Sequence, residues 1–405
     1  MSHILHDDCE WIRQQVLSRM DLSREVEDEE ITALIQEEII AYSKSHPLTI
    51  AQRMELERDV FNSLRKLDVL QDLLEEEDIT EIMINGPDDI FVERYGELQR
   101  VDKHFSSEEK LADVIQQIVS ATNRTVNTSS PIVDTRLSDG SRVNIVLSPI
   151  AIDHSILSIR KFPKHPINMD RLLALGSLSP EVAEFLGILV RARYNIFLSG
   201  GTGSGKTTFL NALTEFIPPS ERVITIEDSA ELQLIGIENL VRMEARNANL
   251  EGKLEVPIRD LVKTSLRLRP DRIIIGECRG AETLDMLQAN NTGHSGTFST
   301  GHANSCVDML SRMETMVLMA MNLPLVAVRQ MIASGIDIII QLGRLPDRSR
   351  KMLEIAEVEG IVDGEIRLHT LYEYQREGGQ STWVKKGNLI HREKLLQVYG
   401  EEAPC

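Results

Sequence analysis

Apolar residues change their spacing three times along this chain, and each change predicts a different kind of structure. Residues 1–70 are strongly charged, yet Ile31, Leu34, Ile35 and Ile39 keep the i, i+3, i+4, i+8 spacing of one helix face, after an acidic run from Glu25 to Glu30. This predicts a small helical extension whose acidic turns face water. From about residue 71 the pattern alternates, in ITEIMING, DIFVERYGELQRV and SRVNIVLSP, with turn signals at Asn85-Gly86-Pro87 and Asp139-Gly140. A helical stretch, Glu108 to Thr122, interrupts the alternation, so residues 71–165 read as an α+β domain. KFPKHPINMD, with two prolines in four residues, reads as a linker.

Beyond the linker, helix and strand patterns take turns. A helix through Ala183 to Arg191 precedes strand NIFLS, a helix from Lys206, strand RVITIE, a helix from Ile258 and strand RIIIGE, with further strands at GTFST and IDIIIQL. Such alternation predicts a largely parallel α/β sheet over residues 166–345. KMLEIAEVEG and GEIRLHTLYEY then predict a strand-rich extension, 346–405. The fold class is α/β, with a smaller α+β domain and a helical extension in front.

Composition narrows the possible functions. A length of 405 residues allows two or three domains with cores of their own and excludes a small disulfide-stapled fold. The net charge of -19 argues against a protein whose main task is gripping nucleic acid, since that affinity comes from cations on phosphates. Cys9, Cys278, Cys306 and Cys405 are scattered without a CxxC pair, as expected of free thiols in a reducing compartment. The longest apolar stretch, Val317 to Val328, contains Asn322 and Pro324 and falls short of the ~20 residues of a spanning helix. The amino end lacks the basic-then-apolar order of a signal peptide, so the expected location is cytoplasmic.

The strongest chemical signal is Gly200-Gly201-Thr202-Gly203-Ser204-Gly205-Lys206-Thr207, followed by Thr208. It fits GxxxxGK[ST] and lies between a predicted strand and a predicted helix, where a phosphate loop belongs. Glycines let the backbone N–H groups close around phosphates, Lys206 is placed for the β- and γ-phosphates of ATP, and Thr207 for Mg²⁺. Hydrolysis also needs carboxylates, and two acidic strand ends offer them: Glu227-Asp228, with Glu231 just after, and Glu277. Gly276 stands where a Walker B strand usually carries Asp. His294 and His302 flank GTFST and are candidates to contact phosphate or relay its presence. With Cys278 and Cys306 they lack the tight spacing of a zinc site.

These boxes, in this order, resemble the secretion ATPases of type II and type IV systems, and within them the CpaF-like motors of Flp (tight-adherence) pilus assembly. The resemblance runs from about Asp72 to Tyr374 and rests on GGTGSGKTT, TIEDSAELQL, LRLRPDRIIIGECRGAET and TGHSGTFSTGHANS, with TEIMINGPDDIFVER, VDTRLSDGSRVN and SIRKF upstream. It implies a PAS-like amino-terminal domain, a RecA-like ATPase domain and a homo-hexameric ring. In that ring, arginines of the amino-terminal domain reach the bound nucleotide, and Arg136, Arg142 and Arg160 match those positions; Arg279 also qualifies. It further implies that Gly276-Glu277 is the usual form of this strand end, that Glu227 or Glu277 serves water activation and Mg²⁺, and that the partners are inner-membrane platform proteins. A VirB11-like transfer motor is the alternative within the family. A nucleic-acid translocase is a third reading, resting on Arg259, Lys263, Arg267, Arg269 and Arg272.

Overall fold

The computed structural model describes residues 2–21, 23–24, 26–122, 124–163, 166–246, 255–377 and 380–400. Glu25, Cys405 and the Lys164-His165 pair of the expected linker lie outside them. The chain divides into two compact units, Met1–Lys164 and His165–Cys405.

The first unit begins with helices α1 (Ser2–Arg19), α2 (Asp28–Tyr42), α3 (Ile50–Arg65) and α4 (Val69–Glu75). A capping box starts α3, with the Thr49 hydroxyl accepting from Gln52 N–H while the Gln52 amide oxygen accepts from Thr49 N–H. Ile31, Ile35 and Ile39 of α2 meet Ile12, Val16, Leu56 and Val60 in a small core, with Leu34 at its margin. A six-stranded sheet follows, built from β1 (Ile79–Asn85), β2 (Ile90–Arg94), β3 (Glu97–Arg100), β4 (Ile132–Arg136), β5 (Arg142–Val146) and β6 (Ile156–Arg160). All pairs are antiparallel, in the order β3-β2-β1-β6-β5-β4. Helix α5 (Glu108–Ser120), capped by Ser107, lays Leu111, Val114, Ile115 and Ile118 on one sheet face, against Ile82, Ile84, Val143, Ile145, Leu157 and Ile159. Asp72 of α4 pairs with Arg58 and Lys103, and Lys110 donates to the Ser63 carbonyl, so ionic contacts join the helices to the sheet domain.

The second unit contains α6 (Met169–Ala174), α7 (Pro180–Arg191), β7 (Ile196–Gly200), α8 (Lys206–Thr214), β8 (Val223–Glu227), β9 (Leu240–Glu244), α9 (Ile258–Ser265), β10 (Arg272–Ile275) and α10 (Glu282–Asn291). It continues with β11 (Phe298–Gly301), α11 (Cys306–Ala320), α12 (Leu325–Gly335), β12 (Ile338–Arg344), β13 (Arg350–Val362), β14 (Glu365–Glu377), β15 (Gln380–Lys385) and α13 (Glu393–Tyr399). One nine-stranded sheet runs β15-β14-β13-β12-β7-β11-β10-β8-β9. Pairs from β12 to β9 are parallel, and those from β12 to β15 antiparallel. The tail strands therefore continue the nucleotide-domain sheet instead of forming an appendage. Strands β7, β8 and β10 are buried on both faces, because α7 and α8 cover one side and α9 to α12 the other.

The Val317 to Val328 stretch is divided between α11 and α12, which bend by 119° and line the second core. Among the described residues no single helix is long and apolar enough to cross a membrane.

Candidate functional site

In a parallel sheet the carboxyl ends of the strands share one edge, and loops leaving that edge converge. β7 delivers Gly200 there, and the chain wraps back into α8. Gly203 and Gly205 take φ of +71° and +92°, a region that side chains disfavour. Gly200 is required for another reason: a Cβ there would lie 2.6 Å from the Leu342 carbonyl of β12 and 2.5 Å from the Ser204 hydroxyl. Around Gly201 and Gly203 the space is open. A positive-φ glycine loop that is open on its face and leads into a helix amino terminus fits a polyphosphate.

Lys206 is buried at the first position of α8, where its ammonium donates to the carbonyls of Gly200 (2.9 Å) and Gly201 (3.0 Å). Burial lowers its pKa, Glu277 opposes that shift and Arg279 adds to it. The same ammonium lies 3.3 Å from Nδ1 of His302, just after β11, and Nε2 of His302 is 2.9 Å from Oε1 of Glu277. Desolvation first, then the Lys206 charge, lower the His302 pKa, which favours the neutral ring. A neutral ring accepting at Nδ1 suits Lys206, while Nε2 lies close to Glu277 without the alignment of a hydrogen bond, so Oε1 of Glu277 is buried without a hydrogen-bond partner. Glu277 is also held at Oε2 by Arg279 (2.9 Å), whose other arm lies 3.7 Å from Asp228.

Glu227 ends β8 and is 2% exposed. Its Oε2 accepts from Glu231 N–H (2.7 Å) and Leu232 N–H (2.8 Å), while Oε1 is buried without a hydrogen-bond partner. Burial dominates and pushes the carboxyl up to about 7, despite the two backbone bonds. The Gly276 exception now has a steric reason. The pairing of Ile226 with Ile275 sets the two acidic strand ends side by side, and a Cβ on Gly276 would lie 3.0 Å from Cγ of Glu227. An Asp there would displace the buried glutamate.

Thr202, Ser204, Thr207 and Thr208 lie in or just after the loop, the two later threonines half-buried on the first turn of α8. Among the described residues no three His, Cys, Asp or Glu side chains form a metal cage. Thr207 with one or two carboxylates and substrate oxygens is the donor set that Mg²⁺ prefers. A cavity of about 760 Å³ opens beside Gly201 and Thr202, lined by Arg279, His302, Arg312 and Asp308 among others.

Not every expected residue joins this cluster. His294 precedes β11 and lies at the opposite edge of the sheet from His302, where Gly296 and Thr297 N–H donate to Asn195, so within one subunit only His302 stands beside the phosphate loop. Cys278 and Cys306 are buried in the core beneath β10 and α11. Arg136, Arg142 and Arg160 belong to the first unit, where the register sets Arg136 opposite Arg142 and Arg142 opposite Arg160. Directly paired residues share a face, so three arginines form a row on the sheet face away from α5. Arg350 is the residue the sequence reading overlooked: from the start of β13 its Nε donates to the Gly203 carbonyl (2.9 Å). The signal available was the basic run RLPDRSRK after strand IDIIIQL.

Comparison with known proteins agrees with this geometry. A Mycobacterium tuberculosis protein named for conjugal transfer is 33% identical over 76% of this chain and 88% of its own length. The fold matches the solved ATPase DotB of Legionella pneumophila (23% identity, 73% of this chain and 80% of that one, TM-score 0.52). It also matches the pilus retraction motor PilT with bound ADP (20% identity, 82% and 88%, TM-score 0.53). These likenesses establish the fold, an α/β chain with an amino-terminal domain ahead of the phosphate-loop domain. Residues 64–386 match the family described as Type II/IV secretion system protein, and the chain belongs to that family.

Proposed function

We propose that this chain is an ATP-hydrolysing motor of a secretion or pilus machine. The observation that carries the proposal is the convergence of Lys206, His302, Glu277 and Glu227 around one phosphate loop, with a carboxylate oxygen of Glu227 buried and unpartnered. Loop N–H groups and Lys206 bind the β- and γ-phosphates of ATP, and Thr207 with Glu227 and Glu277 would hold Mg²⁺. Bound Mg²⁺ would screen the phosphate charge. Glu227 polarises water and accepts its proton, Glu277 being the second candidate. Arg279 holds Glu277, and His302 couples Glu277 to Lys206. From the family resemblance we carry over a ring of six copies, in which Arg136, Arg142 and Arg160, a row on one face of the first unit's sheet, stabilise the spreading phosphoryl charge.

Within the family we favour a CpaF-like motor that powers assembly or withdrawal of a Flp-type pilus, working on the cytoplasmic side of an inner-membrane platform protein. The name of the M. tuberculosis relative favours a VirB11-like transfer motor instead, and the neighbouring genes decide between them. Nucleic-acid translocation has less support. Arg259 and Lys263 face the buried Asp285, and Arg272 is buried against Glu221, leaving Arg267 and Arg269 exposed. The test is the ATPase rate per subunit against protein concentration, with Mg²⁺ and with Lys206→Ala as control. A rate that climbs with concentration and needs Lys206 supports sites completed by assembly. No Lys206-dependent rate overturns the motor reading.

A further inference from the structure

The hairpin joining β12 to β13 is held close to the phosphate loop. β12 pairs with β7 so that Leu342 stands opposite Gly200, and it pairs with β13 so that Arg344 stands opposite Arg350. Its turn is bonded internally: Leu345 N–H donates to Ser349 C=O (2.8 Å), and Asp347 accepts from both the N–H and the hydroxyl of Ser349 (2.9 and 2.6 Å). The start of Arg350 is therefore fixed. From there its stem lies over the loop, with Cδ 3.3 Å from where a Cβ on Gly205 would stand, and Nε donates to the Gly203 carbonyl.

Two features set this arginine apart. No carboxylate pairs with it among the described residues, and its cross-strand neighbour is another arginine, an arrangement that costs stability. Its bond also has a directional consequence. In a planar trans peptide the C=O and the following N–H point opposite ways, so turning the Gly203 carbonyl outward turns Ser204 N–H inward. That N–H makes only a long contact to the Gly201 carbonyl (3.3 Å), which a phosphate oxygen can replace.

We propose that Arg350 is a positioning residue of the phosphate loop: it strips the Gly203 carbonyl from the inner face and presents Ser204 N–H to the nucleotide phosphates. This rests on the ATPase reading above. It acts on binding through the loop, separately from the groups that activate water.

The test compares Arg350→Met, Arg350→Lys and Arg344→Met in the full chain, measuring KM, kcat and the Kd of a fluorescent ADP, alongside wild type and Lys206→Ala. Arg350→Met is expected to raise KM and Kd about tenfold, the worth of one charge-assisted hydrogen bond, with kcat little changed. Arg350→Lys, which keeps a donor, recovers part of that loss, and Arg344→Met binds as wild type does. Wild-type KM and Kd in Arg350→Met overturn the proposal, as does a fall in kcat at constant KM, or equal losses in Arg344→Met. If wild type itself shows no Lys206-dependent binding or turnover, the ATPase reading has failed instead.

Discussion

At the carboxyl edge of the parallel sheet, Glu227 is buried with one carboxylate oxygen unpartnered and the Lys206 ammonium is desolvated with only neutral hydrogen-bond acceptors; at the amino edge, Arg272, Asn195 and Asp337 are engaged by neighbours of matching charge or polarity. Arg272 donates to Glu221 (2.6 Å) and the Val190 carbonyl (2.8 Å). Asn195 accepts from Gly296 and Thr297 N–H (2.8 and 3.2 Å) and donates to the Gly335 carbonyl (2.9 Å), while Asp337 accepts from Asn195 N–H (2.6 Å) and Lys394. The contrast teaches what burial of a polar group means here. Where a buried charge or amide finds its partner, as these three do, burial locks strands together. Where a desolvated ammonium and an unpartnered carboxylate oxygen remain, the fold is holding groups ready for a ligand.

The comparison breaks first at Lys206. Lys206→Ala should reduce turnover about a thousandfold, the scale on which a cation acts on the γ-phosphoryl group, while the melting temperature holds or rises because a desolvated charge is removed. A melting temperature that falls as it does for a core lesion would return Lys206 to a structural role.

Arg272→Met probes the other edge and should cost about 3 kcal/mol in denaturant unfolding, since the largely shielded Glu221 is left without its partner and the Val190 carbonyl without its donor. Nucleotide KM in the folded fraction should not move. A KM shift without loss of stability would show that this edge serves the site as well.

Glu227→Gln sharpens the contrast from inside the site. The amide oxygen can still accept from Glu231 and Leu232, but no base remains, so turnover should fall about a hundredfold. Because the folded chain keeps this carboxyl protonated up to about pH 7, the group contributes stability that is full in acid and is lost as pH rises through about 7. Removing it should raise the melting temperature above that pH, and the wild-type rate should climb with pH through the same range. A flat profile near pH 7 would remove Glu227 from the role of base.

How much of this was legible in the residues follows from the same contrast. The loop, both acidic strand ends and the run of strands and helices are local patterns, and GxxxxGK[ST] announces its own geometry. Long-range pairing is not local. Nothing in LVRME marks β9, and KMLEIAEVEG reads as a strand without revealing that β13 joins the nucleotide sheet and brings Arg350 to Gly203. GTFST likewise gives a strand without saying which end meets the phosphate loop, which is why His294 and His302 looked alike.

That last pair supplies the smallest prediction. β11 runs parallel to β7, with Gly301 opposite Ser199, so His302 emerges beside the loop and His294 emerges at the other edge, where its Nδ1 is buried without a hydrogen-bond partner. His302→Ala severs the link between Lys206 and Glu277 and should lower turnover at unchanged stability. His294→Ala should change nucleotide KM by no more than about twofold, the range of substitutions away from a site. The informative measurement is KM for both variants at one protein concentration. An equal rise in the two would mean that His294 meets nucleotide in an assembled ring, and the division of labour between the two edges would hold for the single subunit alone.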